Sequence, residues 1–155
     1  MIAYLSGAME HAQNDGAEWR TRLSKWLEEQ LCHSIIDPVK ETTQLVSDHG
    51  AQNYRTWKKN DPPKFKTFIR YCIQNDLNLL LTQADYVICF WDANVIKGGG
   101  TQGEITMAYH NNIPVYLVNK IPEVELSGWI IGCTSEIFSD IDKLKQRLTE
   151  VYGKK

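Results

Sequence analysis

Residues 86–90, Tyr-Val-Ile-Cys-Phe, form an unbroken apolar run. Such a run has no polar side chain to offer water on either face, which marks a strand covered on both sides, as in parallel sheets layered with helices. Two more runs behave alike. Residues 2–5 read as a strand ending at the Ser6-Gly7 turn, and residues 114–118 as another buried strand. Residues 34–36 read as a short strand closed by Asp37-Pro38, and residues 136–138 as a short last one.

The segments between them carry a helical period. In 16–31, Trp19, Leu23, Trp26, Leu27 and Leu31 share a face, with Arg20, Arg22, Glu28 and Glu29 mostly off it. In 65–81 the stripe is Phe65, Phe68, Ile69, Cys72, Ile73, Leu77, Leu80 and Leu81. Residues 101–111 and 141–152 read as two more helices, and 121–135 as an irregular loop. Residues 40–64 are polar, with Gly50 and Pro62-Pro63. They read as an insertion that forms a partly ordered lid, because connections this long in a small domain are usually functional or disordered. The alternation predicts an α/β fold: a flavodoxin-like or Rossmann-like three-layer sandwich on a mostly parallel sheet of about five strands, in one domain over 1–155.

Composition narrows the partners. At 155 residues, 43 % hydrophobic and net charge −2, the chain has a real core and no basic excess for nucleic acid. The N-terminus lacks a basic leader and a long apolar segment, and no run approaches a membrane span, so a cytoplasmic protein without membrane contact is expected. Cys32, Cys72, Cys89 and Cys133 form no CxxC pair and read as reduced thiols. His11, His33, His49 and His110 are scattered and read as surface residues; neither a metal site nor a cofactor is expected.

In such sheets the ligand sits beyond the carboxyl ends of the strands. Three segments converge there: Tyr4 to Gly7, Trp91-Asp92 with Gly98 to Glu104, and the loop after Val118. Thr101-x-x-Glu104 fits a capping box, in which Glu104 reaches back to the Thr101 amide. It equally fits a carboxylate one turn into a helix whose N-terminus faces a ligand, with Gly98, Gly99 and Gly100 letting the backbone approach and the helix dipole keeping Glu104 ionised. Asp76 sits on the edge of an apolar stripe, as an exposed flank or a carboxylate held in a cleft. Asp92 is a turn former or a site residue, and Asp85 reads as structural. Two or three carboxylates round one cleft suit glycosidic chemistry, one attacking the anomeric carbon and another handling the leaving-group proton; a separation of about 5 Å gives retention.

Tyr4-Leu5-Ser6-Gly7, Gly16-x-x-Trp19-Arg20, Asp37-Pro38, Asn75-Asp76-Leu77, Ala84 to Ile88 and Gly100-Thr101-x-x-Glu104-Ile105-x-x-Ala108 occur in an order that resembles nucleoside 2-deoxyribosyltransferases and the related nucleoside 5′-monophosphate N-glycosidases. The resemblance spans about residues 2–120. It implies Glu104 as the nucleophile on C1′, Asp76 in proton transfer near the base, and Tyr4 as an aromatic that orients the nucleophile. It further implies Ser6, Gly7 and Asp92 as substrate-binding; Gly98, Gly99, Gly100 and Thr101 read as substrate-binding through their backbone amides, and Trp57 or Tyr54 of the insertion as stacking on the base. The implied partners are a nucleoside or nucleotide and a free nucleobase, in a homodimer or higher homo-oligomer. Deoxyribosyltransferases often take an asparagine from a neighbouring subunit's C-terminal region, and residues 128–136 contain none. Transfer is the favoured activity, since no arginine cluster marks a phosphate clamp, and hydrolysis of a 5′-monophosphate is the nearest rival, with Gly98 to Thr101 and Lys97 able to supply a phosphate site. Two further readings remain at this point. Gly98 to Glu104 is similar to the PGGxGTxxE motif of cytokinin-activating phosphoribohydrolases, without its proline, and a nucleotide-binding module without turnover would keep the glycines but not the carboxylates.

Overall fold

The computed structural model describes residues 1–153. Five strands, β1 (Ile2–Gly7), β2 (Ser34–Ile36), β3 (Tyr86–Trp91), β4 (Val115–Asn119) and β5 (Glu136–Phe138), form one all-parallel sheet in the order β2-β1-β3-β4-β5. The expected α/β sandwich is therefore the fold, and all five strands lie within two residues of the runs that announced them, β1 extending through Ser6 and Gly7 where a turn was expected.

Period-two alternation assigns the strand side chains to two cores. On one face Tyr4, Val87, Cys89, Val115 and Leu117 pack with Leu80, Ile105 and Ile130. Those three come from α4 (Pro62–Gln83), α5 (Gly100–His110) and α6 (Gly128–Cys133). On the other face Ala3, Leu5, Tyr86, Ile88, Tyr116 and Val118 pack with Leu23, Leu144 and Leu148 from α1 (Ala17–Trp26) and α7 (Ile141–Tyr152). Leu27 and Leu31 join this core from a π-helical turn that prolongs α1 over Leu27–Leu31.

Three readings of the chain are corrected. Residues 40–64 are not partly ordered but helical: they hold most of α2 (Pro38–Asp48), α3 (Tyr54–Asn60) and the start of α4. The signal was present in Asp37-Pro38 and Asp61-Pro62. Each aspartate caps its helix, accepting from the Val39 and Lys64 amides, and each proline takes the first helical position, where no N–H is needed. Leu45 and Val46 of α2, Ala51 between the helices, and Tyr54 and Trp57 of α3 pack with Phe68 and Cys72 of α4, in a small cluster of their own. Residues 121–135 also contain a helix, α6, which buries Ile130 and Cys133. His33 is not a surface residue: it is buried, with Nδ1 2.8 Å from the Tyr86 hydroxyl.

Candidate active site

β1 lies between β2 and β3, so the chain direction of its crossovers reverses at the β1–β3 boundary, and a crevice opens beyond the carboxyl ends of those strands. The residues that fill it come from the end of β1, the start of α5 and the middle of α4.

Tyr4 and Ser6 lie two apart on β1 and so point to the same face, toward α5. The Tyr4 hydroxyl donates to Glu104 Oε1 at 3.0 Å, and the Ser6 hydroxyl donates to Glu104 Oε2. Both carboxylate oxygens of Glu104 are thereby fixed from one strand. The capping box is not formed. α5 begins at Gly100, no side chain caps it, and Glu104 turns to β1 instead of back to Thr101. Thr101 itself is buried.

The electrostatics separate the two carboxyls. Burial pushes Glu104 up from the usual carboxylate range, against the Ser6 and Tyr4 hydroxyls and the Arg20 guanidinium, which all pull it down. The expectation that the helix end alone keeps it ionised is corrected. Glu104 lies beyond the first turn, where the dipole fades, and its charge rests on these side-chain partners against the cost of burial. Asp76 on α4 is raised to about 7, first by burial and then by the negative charge of Glu104. One of its oxygens, Oδ1, is buried with no hydrogen-bond partner. Glu104, with two hydroxyl donors and a cation, is the member of the pair that carries the charge; Asp76, short of partners, holds a proton near neutrality. Burial also drives the Tyr4 phenol far up, so it remains a donor.

The two carboxyls share two clefts. One, of about 190 Å³, is lined by Gly7, Met9, His11, Asn94, Gly98 to Thr101, Asp76 and Glu104. The second, of about 360 Å³, is more apolar, with Ile73, Leu77 and Met107 beside Asp76 and Glu104. Asp76 also borders a third hollow of about 150 Å³ with Tyr54, Arg55 and Phe65. Gly98, Gly99 and Gly100 have open space where a Cβ would point, and none has a positive φ. Room beside the carboxylates, not backbone conformation, is what a side chain there would take away.

Two expected site residues are placed elsewhere. Asp92 spends its carboxylate on the turn after β3, where Oδ1 accepts from the Asn94 and Val95 amides at 2.8 and 3.1 Å, and it lines neither cleft. Its proximity in sequence to a buried strand reflects turn formation. Trp57 packs edge-on against Phe68, with the Lys64 ammonium 4.0 Å from its ring centroid, and Tyr54 faces the hollow instead. Asp85 is structural as expected, accepting from the Ile2 amide at 2.7 Å.

Arg20 was missed. Helical spacing puts it off the apolar stripe of α1, yet it is fully buried. Its partners are main-chain carbonyls of β1 and of the loop after it, which carry no signature in the sequence, together with the Asp37 carboxylate.

Among the described residues no helix is long and apolar enough to cross a membrane, and no group of three or more His, Cys, Asp or Glu could hold a metal ion. Comparison with protein-family models and with curated proteins finds no match. Among solved structures the chain is similar to a prokaryotic SEFIR domain at 15 % identity, over 99 % of each chain, with a TM-score of 0.49, a likeness too low to carry an argument about function.

Proposed function

We propose that this chain is an enzyme that cleaves or exchanges the N-glycosidic bond of a (deoxy)nucleoside through a glycosyl–Glu104 intermediate, as a nucleoside 2-deoxyribosyltransferase. The observation that carries the reading is the pair itself: one carboxylate held by two hydroxyls, Tyr4 and Ser6, beside a carboxylic acid raised to about 7 in the same cleft. The chemistry follows from that inequality. A Glu104 oxygen attacks C1′ as the C1′–N bond breaks. The bonding pair leaves with the base, and Asp76 supplies the proton that neutralises it. A second base, deprotonated by Asp76, or a water then attacks C1′ and frees Glu104. Tyr4 and Ser6 hold the attacking carboxylate in one orientation, so little motion is needed to reach the sugar.

Hydrolysis of a nucleoside 5′-monophosphate is a second reading. It is favoured by the start of α5, whose uncapped amides border the smaller cleft and would suit a phosphate.

A panel of deoxynucleosides and their 5′-monophosphates, with and without a second free base, tests both, with Glu104→Ala alongside. A new nucleoside formed only when base is added, and absent with Glu104→Ala, supports transfer. Free base released without an acceptor supports the hydrolase. No turnover of any substrate, or turnover unchanged in Glu104→Ala, would sink the nucleophile assignment and favour a binding module.

A further inference from the structure

Arg20 is among the largest fully buried side chains of the described residues, and its guanidinium meets main-chain carbonyls from both ends of one loop. Nη2 donates to the Gly7 carbonyl at 2.9 Å and Nε to that of Leu5 at 3.4 Å, both at the end of β1. Nη1 donates to the carbonyls of Asp15 and Gly16 at 3.0 Å each, at the far end of the same loop, and to that of Ala8 at its near end at 3.4 Å. Asp37 Oδ1 lies 3.6 Å from Nε and supplies the countercharge.

The backbone is shaped round this group. Asn14, Asp15 and Gly16 stand in succession at positive φ of 50°, 53° and 68°, a conformation that non-glycine residues adopt at a cost. Consecutive residues of that kind persist only where the surroundings hold them, and two of the three present their carbonyls to Nη1. A Cβ on Gly16 would stand 2.7 Å from Arg20 Nη1 and 2.7 Å from the Ala8 carbonyl oxygen, and one on Gly7 3.3 Å from Nη2. Gly16 leaves space that the guanidinium occupies, while at Gly7 the Trp19 ring at 3.0 Å and the Phe90 carbonyl at 3.2 Å crowd a Cβ before the guanidinium does.

The loop that Arg20 closes is a wall of the site: Gly7, Ala8, Met9, Glu10 and His11 all line the cleft that holds Glu104 and Asp76. Ser6, the donor to Glu104, lies between the two β1 carbonyls that Arg20 grips. We propose that Arg20 is a positioning residue, which clamps the β1–α1 loop into the cleft wall and fixes the strand end from which Ser6 holds Glu104. The proposal rests on the glycosidic reading of the site. It assigns Arg20 no contact with substrate, since its guanidinium is fully enclosed.

Charge accompanies the clamp. Glu104 accepts from Tyr4 and Ser6 of β1 and shares its cleft with Asp76 of α4, and the charge of Arg20 on α1 lowers its affinity for a proton. Of these Arg20 alone is a cation. The fork and the charge can be separated by variants: Arg20→Lys keeps the charge and loses the five-donor fork, and Arg20→Gln loses both. Gly16→Ala keeps Arg20 whole and displaces the loop from it.

The experiment combines turnover per folded molecule, its pH profile, and hydrogen exchange of residues 8–16 against the rest of the chain. Arg20→Lys and Gly16→Ala are expected to lose on the order of 10- to 100-fold in kcat with a smaller change in KM, and to exchange faster within 8–16 while the strands keep their protection. Their acid limb should stay in place. Arg20→Gln should show the same loss, with the acid limb moved to higher pH. Turnover within about twofold of the wild type in both Arg20→Lys and Gly16→Ala would overturn the proposal. So would a lower global stability with no faster exchange confined to the loop. If the wild-type protein turned over no nucleoside at all, the glycosidic reading would fail, and the exchange pattern would still decide whether Arg20 clamps the loop.

Discussion

Tyr4 on β1 and Tyr86 on β3 are near neighbours in the sheet, since Tyr86 pairs with Ala3 and Val87 with Tyr4. Neither has any exposure, and they point to opposite faces. Under Tyr86 lies an aromatic cluster in which the polar atoms are answered by one another. His33 bonds Tyr86, the Tyr116 and Tyr152 hydroxyls lie 3.1 Å apart, and the Tyr86 and Tyr152 rings stack at 5.0 Å. Over Tyr4 lies a carboxylate, then a second carboxyl with an oxygen no group answers, then open clefts. A buried phenol is therefore no sign of chemistry by itself. What separates the two faces is whether the phenol's partner is ionisable and whether that partner meets a space a ligand can enter.

The sharpest way to break this contrast is Glu104→Gln. It keeps the side-chain volume and removes the nucleophile, and base release is expected to fall at least about 1,000-fold, measured by chromatography. Thermal unfolding at neutral pH should show no loss of stability, because a buried charge is gone. Asp76→Asn comes next. It should lower turnover by about 100-fold or more for leaving groups that need a proton, and least for an activated leaving group such as a nitrophenyl glycoside. The wild-type rate should fall as pH rises past about 7, where Asp76 loses its proton, and fall at acid pH as Glu104 gains one. An Asp76→Asn enzyme that kept the alkaline limb would assign that limb to another group.

The tyrosines give a smaller and more direct test. Tyr4→Phe should cost about tenfold in kcat, since one of two donors to Glu104 is lost. Tyr86→Phe should leave kcat within about twofold and lower stability by about 1 kcal/mol, since it strands His33 Nδ1 without its partner. Equal effects of the two on kcat would erase the distinction between the faces.

How much of this was legible depends on where each residue finds its partners. Strands buried on both faces announce themselves as apolar runs, and Ser6 and Glu104 stand out because the sheet fixes where a strand ends and a helix begins; Asp76, well inside α4, stands out only as a carboxylate at the edge of an apolar stripe, and Tyr4 only through the family resemblance. α2 and α3 were not legible as helices by periodicity, because their apolar residues pack on Phe68 and Cys72 rather than on the sheet. The Asp-Pro pairs were the better signal there. α6 is six residues long with a glycine at Gly132, too short to show a period. An aromatic in a polar stretch invites a stacking role, and in the structure the Trp57 ring meets Phe68 and Lys64 and lines none of the clefts at Glu104 and Asp76. Arg20 was beyond reach for the opposite reason: nothing in a cationic side chain on a polar helix face says that a loop will wrap it.

The two faces should also answer pH with opposite signs, and this is the smallest effect of the set. Asp76 is raised in the folded protein, so the folded state binds its proton more tightly than the unfolded chain does. Its contribution to stability is fully present below the unfolded value near 3.8 and is lost as pH rises through about 7. His33 is lowered from 6.5, by burial first and by the nearby N-terminal amine second. Its contribution is present above 6.5 and is lost as pH falls through its lower folded value. Urea unfolding at closely spaced pH values should resolve the two. Asp76→Asn should be more stable than the wild type at pH 8, on the order of 2 kcal/mol after discounting for the partial exposure of the site, with the gap closing toward pH 4. His33→Gln should lessen the loss of stability just below pH 6.5 and leave the alkaline slope alone. If Asp76→Asn removed no alkaline slope, the unanswered carboxyl would not be the strained group in this fold. The site face would then be as well satisfied as the aromatic one, and the contrast between Tyr4 and Tyr86 would reduce to packing.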